Sequence, residues 1–228
     1  MTALRVVSYN VRSLRDDADA VGRVLFGLDA DVVCLQEAPR FLRWRQSLER
    51  LAVRSGLAYV AGGRPTGGSA LLAGPRVDVL TTQEVLFAQT PELHQRGVTL
   101  ARLRTAGGAR VTVASTHLGL DAAERVRHLR ELLAAVEALP SPLSVIAGDL
   151  NEGPEGPVWR HLAEQWGVDT CAGTGEPTFP ARRPRARIDG VFVQGPVVVD
   201  GCRVVDHPDV LVASDHRPVV TDLELPRS

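Results

Sequence analysis

The stretch 145–151, V-I-A-G-D-L-N, constrains the fold of this chain more than any other, because an apolar run ends there in a glycine, an acid and an amide. A short β-rich run of this kind predicts a buried strand, and Gly148 allows the backbone to turn so that Asp149 and Asn151 face one open edge. Asp149 is then a candidate base and Asn151 a neutral clamp. The alternative is an ordinary strand-to-loop turn, since both residue types form turns by hydrogen-bonding their own backbone.

Polar residues also stand at the ends of other apolar runs, and together they favour a functional site over a set of unrelated turns. Glu37 is the strongest, because a carboxylate that closes so hydrophobic a run lies near the core, where it is costly unless paired or bound to a cation. A lone asparagine after a strand is more often a turn former, and a lone histidine is more often structural. The others are Asn10 after L-R-V-V-S-Y, His117 after V-T-V-A-S-T, Asp189 inside the strand-like 188–193, and the pair Asp215-His216 ahead of the closing strand.

The remaining pattern predicts an α/β fold in a single domain that spans 1–228. Of the 228 residues, 44% are hydrophobic, which suits a sizeable core, and no linker or fixed-period repeat separates two patterns. Apolar residues at helical spacing predict a surface helix over 41–54, and a second helix is expected over 121–139. Between 57 and 118, short β-like runs punctuated by glycine pairs predict successive strands and hairpins.

Charge and cysteine usage restrict the partners and the compartment. A net charge of −1 gives no general attraction to nucleic acid, although the arginine-rich loop 182–187 either grips an anionic substrate or forms a solvated face. Met1 leads almost directly into an apolar run, which leaves no room for a signal peptide, and no stretch is long enough to span a bilayer. Three cysteines without close metal-ligand spacing are expected to be reduced, so the sequence predicts a cytoplasmic protein, and a monomer is expected.

Six fragments together resemble the endonuclease/exonuclease/phosphatase superfamily, and they occur in the order that this family has. Each fragment is weak alone, but six at compatible separations across almost the whole chain are hard to obtain by chance. The resemblance implies a four-layer α/β sandwich, in which two packed mixed β-sheets are flanked by helices and the site lies at one end of the sheets. The fragments are Tyr9-Asn10, Gln36-Glu37, Thr116-His117, Gly148-Asp149-Leu150-Asn151, Arg187-Ile188-Asp189 and Ser214-Asp215-His216-Arg217-Pro218-Val219.

The resemblance also implies a metal site. Glu37 would bind Mg²⁺ or Mn²⁺, with Asn10 and Asp215 in or beside the coordination shell, since hard oxygen ligands suit these ions. Arg96 and Arg187 are expected to contact the phosphate-ester substrate.

The same resemblance assigns catalytic roles to five residues. Asp149 would orient or deprotonate the attacking water, and Asn151 would hold a phosphate oxygen. His216, oriented by Asp189, would stabilise the charged phosphorus centre together with His117. Ester cleavage at phosphorus needs an in-line nucleophile and neutralisation of charge on the equatorial oxygens, which a metal and clustered donors provide. Whether Asp149 or His216 is the base stays open.

The function expected from these residues is metal-dependent hydrolysis of a small or lipid-linked phosphate ester, by a phosphodiesterase or phosphatase. The alternative is a Mg²⁺-dependent nuclease on DNA or RNA, and a third reading is a binding module that has lost activity. A histidine at the position of His117 resembles the deoxyribonuclease, sphingomyelinase and phosphatase branches of the family. Abasic-site endonucleases usually carry tyrosine at this position, so a function in abasic-site repair is disfavoured. The glutamate that usually partners this histidine in the deoxyribonuclease branch, near 69–72, is not evident.

Overall fold

A computed structural model describes residues 1–226, so positions 227 and 228 of the predicted domain lie outside the description. Within those residues, twelve strands form two six-stranded sheets. The strands are β1 (Thr2–Asn10), β2 (Val32–Gln36), β3 (Ala58–Gly62), β4 (Ala70–Ala73), β5 (Val77–Leu86), β6 (Gly97–Thr105), β7 (Arg110–His117), β8 (Leu143–Asp149), β9 (Val168–Asp169), β10 (Asp189–Gln194), β11 (Val198–Val204) and β12 (Val219–Leu225).

Both sheets are mixed, as expected. The first has the order β11-β12-β1-β2-β4-β3, and the second has the order β5-β6-β7-β8-β10-β9. In each sheet the central pair is parallel, β1 with β2 and β7 with β8, while the other neighbours are antiparallel. In each parallel pair the two carboxyl ends lie side by side, so polar residues that follow these strands are neighbours.

The helices begin where the sequence supplies caps. Asp17 accepts hydrogen bonds from the backbone N–H groups of Asp19 and Ala20, and Asp121 accepts one from Glu124, so two carboxylates satisfy N–H groups that the first helical turn leaves free. The helices are α1 (Ala18–Leu28), α2 (Trp44–Arg54), α3 (Ala122–Glu137), α4 (Pro157–His161), which continues in a π-turn over Leu162–Trp166, and α5 (Val210–Ala213). The expected helices over 41–54 and 121–139 correspond to α2 and α3.

Three hydrophobic clusters separate four layers and confirm the predicted α/β sandwich. The central cluster fills the space between the two sheets with small β-branched residues such as Val6, Val113 and Val145. A second cluster packs α1 and α2 on the first sheet, and the third packs α3 and α4 on the second sheet. Strands β2 and β8 are buried along their whole length, and their apolar residues therefore follow one another without strict alternation.

Strand register brings the polar ends to one edge of the sandwich. Asn10 pairs with Gln36 across the first sheet, and in the second sheet Asp149 pairs with both His117 and Asp189. The loop that enters β12 carries His216 to the same edge, since Ser8 near the end of β1 pairs with Val219. The site is therefore assembled from both sheets.

The expectation that all three cysteines are reduced is corrected by the structure. Cys171, just after β9, is disulfide-bonded to Cys202 on β11, with the two Cα atoms 5.2 Å apart, while Cys34 is free and buried in the core. The pairing follows from tertiary proximity across 31 residues of sequence, which spacing could not reveal. Among residues 1–226, no helix is long and apolar enough to cross a membrane.

Candidate active site

Asp149 lies at the centre of the polar cluster, at the last position of β8, and is almost fully buried. Its Oδ2 accepts a hydrogen bond from Asn10 Nδ2 at 3.0 Å, and its Oδ1 accepts one from the backbone N–H of Asn151 at 3.0 Å. Nε2 of His117 lies 3.3 Å from Asp149 Oδ2, and Nε2 of His216 lies 3.8 Å from the same oxygen. Side chains from both sheets thus meet at one carboxylate.

The backbone around Asp149 differs in one respect from the sequence-based expectation. The turn is made at Asn151, which has a φ of 53°, and not at Gly148. A Cβ at Gly148 would collide with the carbonyl oxygen of Thr116 on β7, so glycine there permits close strand packing. Glu37 also has a positive φ, 49°, directly after β2. Left-handed backbone at residues other than glycine is costly and concentrates at functional sites.

His216 is held by a buried carboxylate. Its Nδ1 lies 2.9 Å from Asp189 Oδ2, which also accepts a hydrogen bond from Thr178 Oγ1 at 2.6 Å. Phe179 packs on the imidazole, with the ring centroids 4.8 Å apart. Asp189 Oδ1 is buried and has no hydrogen-bond partner among the described residues. The expected His216–Asp189 pair is therefore present as a contact, and Thr178, to which the sequence analysis assigned no role, adds a hydrogen bond to the same carboxylate oxygen.

The pKa values of both Asp149 and His216 are raised by their surroundings. Burial, reinforced by the charge of Asp189, raises the pKa of Asp149 to about 7, although His216 and the hydrogen bonds from Asn10 and Asn151 act against the shift. Burial alone would lower the pKa of His216, but the charge and hydrogen bond of Asp189 outweigh it and raise the pKa to about 10. At neutral pH the histidine is therefore protonated while Asp149 is poised to exchange a proton.

The three residues expected at the metal lie around the end of β1. Asn10 Nδ2 lies 3.4 Å from Glu37 Oε1, so these two side chains are adjacent. The hydroxyl of Ser214 donates to the carbonyl oxygen of Asn10 at 2.7 Å and thereby ties the neighbouring Asp215 to the end of β1. The carboxylate of Asp215 faces the guanidinium of Arg12, with Nε 3.3 Å from Oδ2. Arg12 was not assigned a role from the sequence.

His117 contacts an arginine, Arg96, and not a glutamate of the kind that is usual in the deoxyribonuclease branch. Its Nδ1 lies 3.0 Å from Nη1 of Arg96, and its Nε2 lies 3.0 Å from Nδ2 of Asn151, which also donates to the carbonyl oxygen of Leu118 at 2.9 Å. Burial and the positive charge of Arg96 lower the pKa of His117 well below its usual value. Arg96 therefore lies in the site, directly against one of the expected catalytic residues.

Arg187, which was expected to contact the substrate, lies in a buried ion pair with Asp169. Its two terminal nitrogens donate to the two carboxylate oxygens of Asp169 at 2.8 and 2.6 Å, and its guanidinium carbon lies 4.8 Å from the centre of the Trp159 ring. The side chain of Arg187 is buried in this arrangement. A guanidinium that is already bonded in a bidentate geometry and stacked on an aromatic ring favours a structural role over contact with the substrate.

Comparisons with known proteins agree with this arrangement. The sequence profile of the Endonuclease/Exonuclease/phosphatase family matches residues 7–216. No curated protein sequence matches this chain at a significant level.

Solved structures show the same fold at low sequence identity. An endonuclease/exonuclease/phosphatase from Bacteroides vulgatus is 20% identical, with a TM-score of 0.85 over 99% of this chain and 100% of the other. A mannosyl-6-phosphatase from Bacteroides thetaiotaomicron is 17% identical, with a TM-score of 0.81 over 97% and 100%. D. rerio TDP2, complexed with a single strand DNA product, is 23% identical, with a TM-score of 0.72 over 99% and 100%. These identities establish a similarity of fold, and since the profile match extends from β1 to His216, the chain belongs to the endonuclease/exonuclease/phosphatase family.

Proposed function

We propose that this chain is a metal-dependent phosphoric ester hydrolase that acts as a phosphodiesterase or phosphatase. The observation that carries the proposal is the buried Asp149 carboxylate, which faces two histidines and Asn10 at the edge where both sheets end. A binding module would not require a buried carboxylate with a raised pKa beside a protonated histidine, because such an arrangement is costly to fold. Hydrolysis would use both groups, because it requires a proton acceptor and a donor to the phosphate oxygens.

The pKa shifts support a division of labour between Asp149 and His216. A group with a pKa of about 7 is suited to accept a proton from water near neutral pH, which makes Asp149 the better base. His216, with a pKa of about 10, stays protonated and can donate a hydrogen bond to a phosphate oxygen as negative charge develops. Asn151 would hold a second phosphate oxygen, and Asp189 would keep the imidazole of His216 oriented through its contact with Nδ1.

The donor set beside Asn10 fits a divalent metal ion. The carboxylates of Glu37 and Asp215 are hard oxygen ligands of the kind that Mg²⁺ and Mn²⁺ prefer. Asn10 turns its Nδ2 toward Glu37 while its Oδ1 accepts from the backbone N–H of Arg12, so it would lie beside the coordination shell. A bound ion supplies positive charge that polarises the phosphoryl oxygens. The ligand atoms of Asp149, Asp189 and His216 also lie within 4.8 Å of one another, but a protonated histidine that is bonded to Asp189 is a poor ligand. We therefore assign metal binding to Glu37, and proton transfer and hydrogen bonding to Asp149, Asp189 and His216.

A cleft beside the Glu37 segment supports a substrate with an apolar part. It has a volume of about 390 Å³ and combines apolar side chains with arginines. Phe41 is 81% exposed and Leu42 is 92% exposed beside this cleft, so two adjacent large apolar side chains are available to contact a ligand. The arginines are cations that could contact the phosphate or a second anionic group. Its lining includes Leu14, Arg40, Phe41, Leu42, Arg50, Leu51 and Arg54.

A nuclease is the second candidate, supported by a different observation. Arg182, Arg183 and Arg185 are exposed, and Arg182 lines a cleft that also contains Asp215. Arginines next to a metal ligand could hold a nucleic-acid backbone. This candidate predicts binding that weakens with salt and is lost progressively as the three arginines become alanine.

The proposal is tested by a hydrolysis screen with added Mg²⁺ or Mn²⁺. The substrates are bis-p-nitrophenyl phosphate, p-nitrophenyl phosphate, nucleotides, phospholipids and plasmid DNA. Asp149→Asn and His216→Gln should each lower kcat/KM by about 10²–10⁴-fold. Asp78→Asn and His207→Gln are matched controls, since both residues are exposed and lie outside the site.

The outcomes of the screen separate the candidates. Cleavage of small esters that both site variants lose, without plasmid nicking, supports the leading proposal. Dominant plasmid nicking replaces it with the nuclease. Equal inactivity of wild type and variants toward every substrate contradicts both and leaves the binding module.

A further inference from the structure

Arg96 and His117 form a buried contact that the catalytic roles above do not use. Arg96 immediately precedes β6, and its neighbour Gly97 pairs with His117 across the sheet, so the register itself brings the two side chains together. Arg96 is 7% exposed and His117 is 2% exposed. Nη1 of Arg96 lies 3.0 Å from Nδ1 of His117, and Nε of Arg96 has no hydrogen-bond partner among the described residues. An arginine placed this deeply needs an acceptor.

The chemistry of the two groups determines which imidazole nitrogen carries the proton. A guanidinium has five N–H donors, has no acceptor and stays protonated in proteins. At 3.0 Å from Arg96, Nδ1 of His117 can therefore only be the acceptor, because a proton there would place two donors against each other. A neutral imidazole with an unprotonated Nδ1 carries its single proton on Nε2.

Nε2 faces one acceptor and one donor, so the proton on it is assigned by comparing the contacts of the two ring nitrogens. Oδ2 of Asp149 lies 3.3 Å away and can accept the hydrogen bond. Nδ2 of Asn151, a second donor, lies 3.0 Å from Nε2 and by itself favours the opposite tautomer. It is a neutral amide that also donates to the carbonyl oxygen of Leu118 at 2.9 Å, whereas the contact from Arg96 to Nδ1 is charge-assisted and therefore the stronger of the two. The charged and titratable groups that oppose a second proton on His117 are Arg96, His216, Arg40 and His94.

We propose that Arg96 is a positioning residue, which fixes the tautomer of His117 so that the only N–H of the ring, on Nε2, points into the site at Asp149. The tautomer follows from the charge-assisted contact of Arg96 and from the acceptor Asp149 beside Nε2, whereas its consequence rests on the proposed hydrolase function. His117 then donates a hydrogen bond to Asp149 or to a phosphate oxygen and releases no proton to the leaving group. The positive charge on this side of the site belongs to the guanidinium of Arg96.

The tautomer is measured by two-dimensional ¹H–¹⁵N NMR of the imidazole nitrogens in the full chain, with His117→Gln to assign the signals. In the wild type, Nδ1 of His117 should resonate downfield as an unprotonated nitrogen, and Nε2 should resonate as a protonated one. Arg96→Lys, which keeps a donor and no acceptor, should retain this pattern. Arg96→Glu supplies an acceptor and should move the proton to Nδ1. A protonated Nδ1 in the wild type, or an unchanged pattern in a folded Arg96→Glu variant, overturns the proposal.

Kinetics give a second readout that separates this proposal from the proposed function. Arg96→Glu should lower kcat by about tenfold or more with a smaller change in KM, and Arg96→Lys should recover part of that loss. Loss of kcat that Arg96→Lys does not recover, despite a native tautomer, contradicts the positioning role. If the wild type shows the expected NMR pattern but hydrolyses no ester, the proposed function fails while the tautomer assignment stands.

Discussion

Replacing Arg187 with methionine is expected to destabilise the protein rather than to weaken substrate binding. Methionine keeps an unbranched apolar stem against the Trp159 ring but removes the guanidinium, which donates two hydrogen bonds to Asp169 at 2.8 and 2.6 Å. Asp169 is buried, so the substitution leaves a carboxylate in the interior without its cation. An uncompensated buried charge is among the few single changes with a large effect on stability.

The magnitude follows from what Asp169 retains. Removing one partner of a buried ion pair costs about 3–5 kcal/mol. Asp169 keeps hydrogen bonds from Trp159 Nε1 at 3.0 Å and from the backbone N–H of Cys171 at 3.1 Å, so we expect the lower end, about 3 kcal/mol. For a chain of this length, that corresponds to a fall in Tm of about 6–12 °C.

Chemical denaturation and calorimetry measure this change, and steady-state kinetics on the best substrate measure binding. Arg185→Met is the matched control, because Arg185 is exposed in the same loop and should alter Tm by less than about 2 °C. The pair Arg187→Met with Asp169→Asn should recover part of the lost stability, since no bare charge remains. An unchanged Tm together with a raised KM in Arg187→Met would show that the arginine serves the substrate and would refute the structural role.

Three further predictions concern the site, the disulfide and the metal. In metal-free protein, the raised pKa of His216 beside Asp189 stabilises the fold fully below about pH 6.5, and this contribution is lost as pH rises toward about 10. The free energy of unfolding measured against pH should show this fall in the wild type and a flatter curve in His216→Gln. Parallel curves for the two proteins would contradict the assignment. Cys171→Ser should lower the free energy of unfolding by about 3–4 kcal/mol, because the bond to Cys202 closes a loop of 31 residues; the intact mass with and without alkylation checks the pairing, and two free thiols in the native wild type would contradict it. Added Mg²⁺ at about 100 times its Kd should stabilise the wild type by about 3 kcal/mol, and Glu37→Gln should lose this increase in Tm; an equal increase in both would place the ion elsewhere.

Much of the fold could be predicted because the relevant signals are local. The run 145–149 is apolar and rich in β-branched residues, and it forms β8. Asp121 caps the helix that was expected to begin there. Glu37 and His117 each follow or end a buried strand, as their runs indicated. Burial on both faces of a strand, and the sudden change to a polar residue where the strand ends, are properties of consecutive residues and remain visible without the fold.

The partners of buried side chains depended on the tertiary structure. Arg96 and Arg187 were both expected to contact the substrate. Strand register places Arg96 against His117, whereas the loop before β10 places Arg187 against Asp169. The same limit applies to Cys171, whose partner is brought near by β11. A hydrogen bond, an ion pair or a disulfide forms between groups that the fold brings together from distant parts of the chain. The sequence therefore determined which strands end in polar residues, and only the packing of the two sheets decided which of those residues lie within hydrogen-bonding distance of one another.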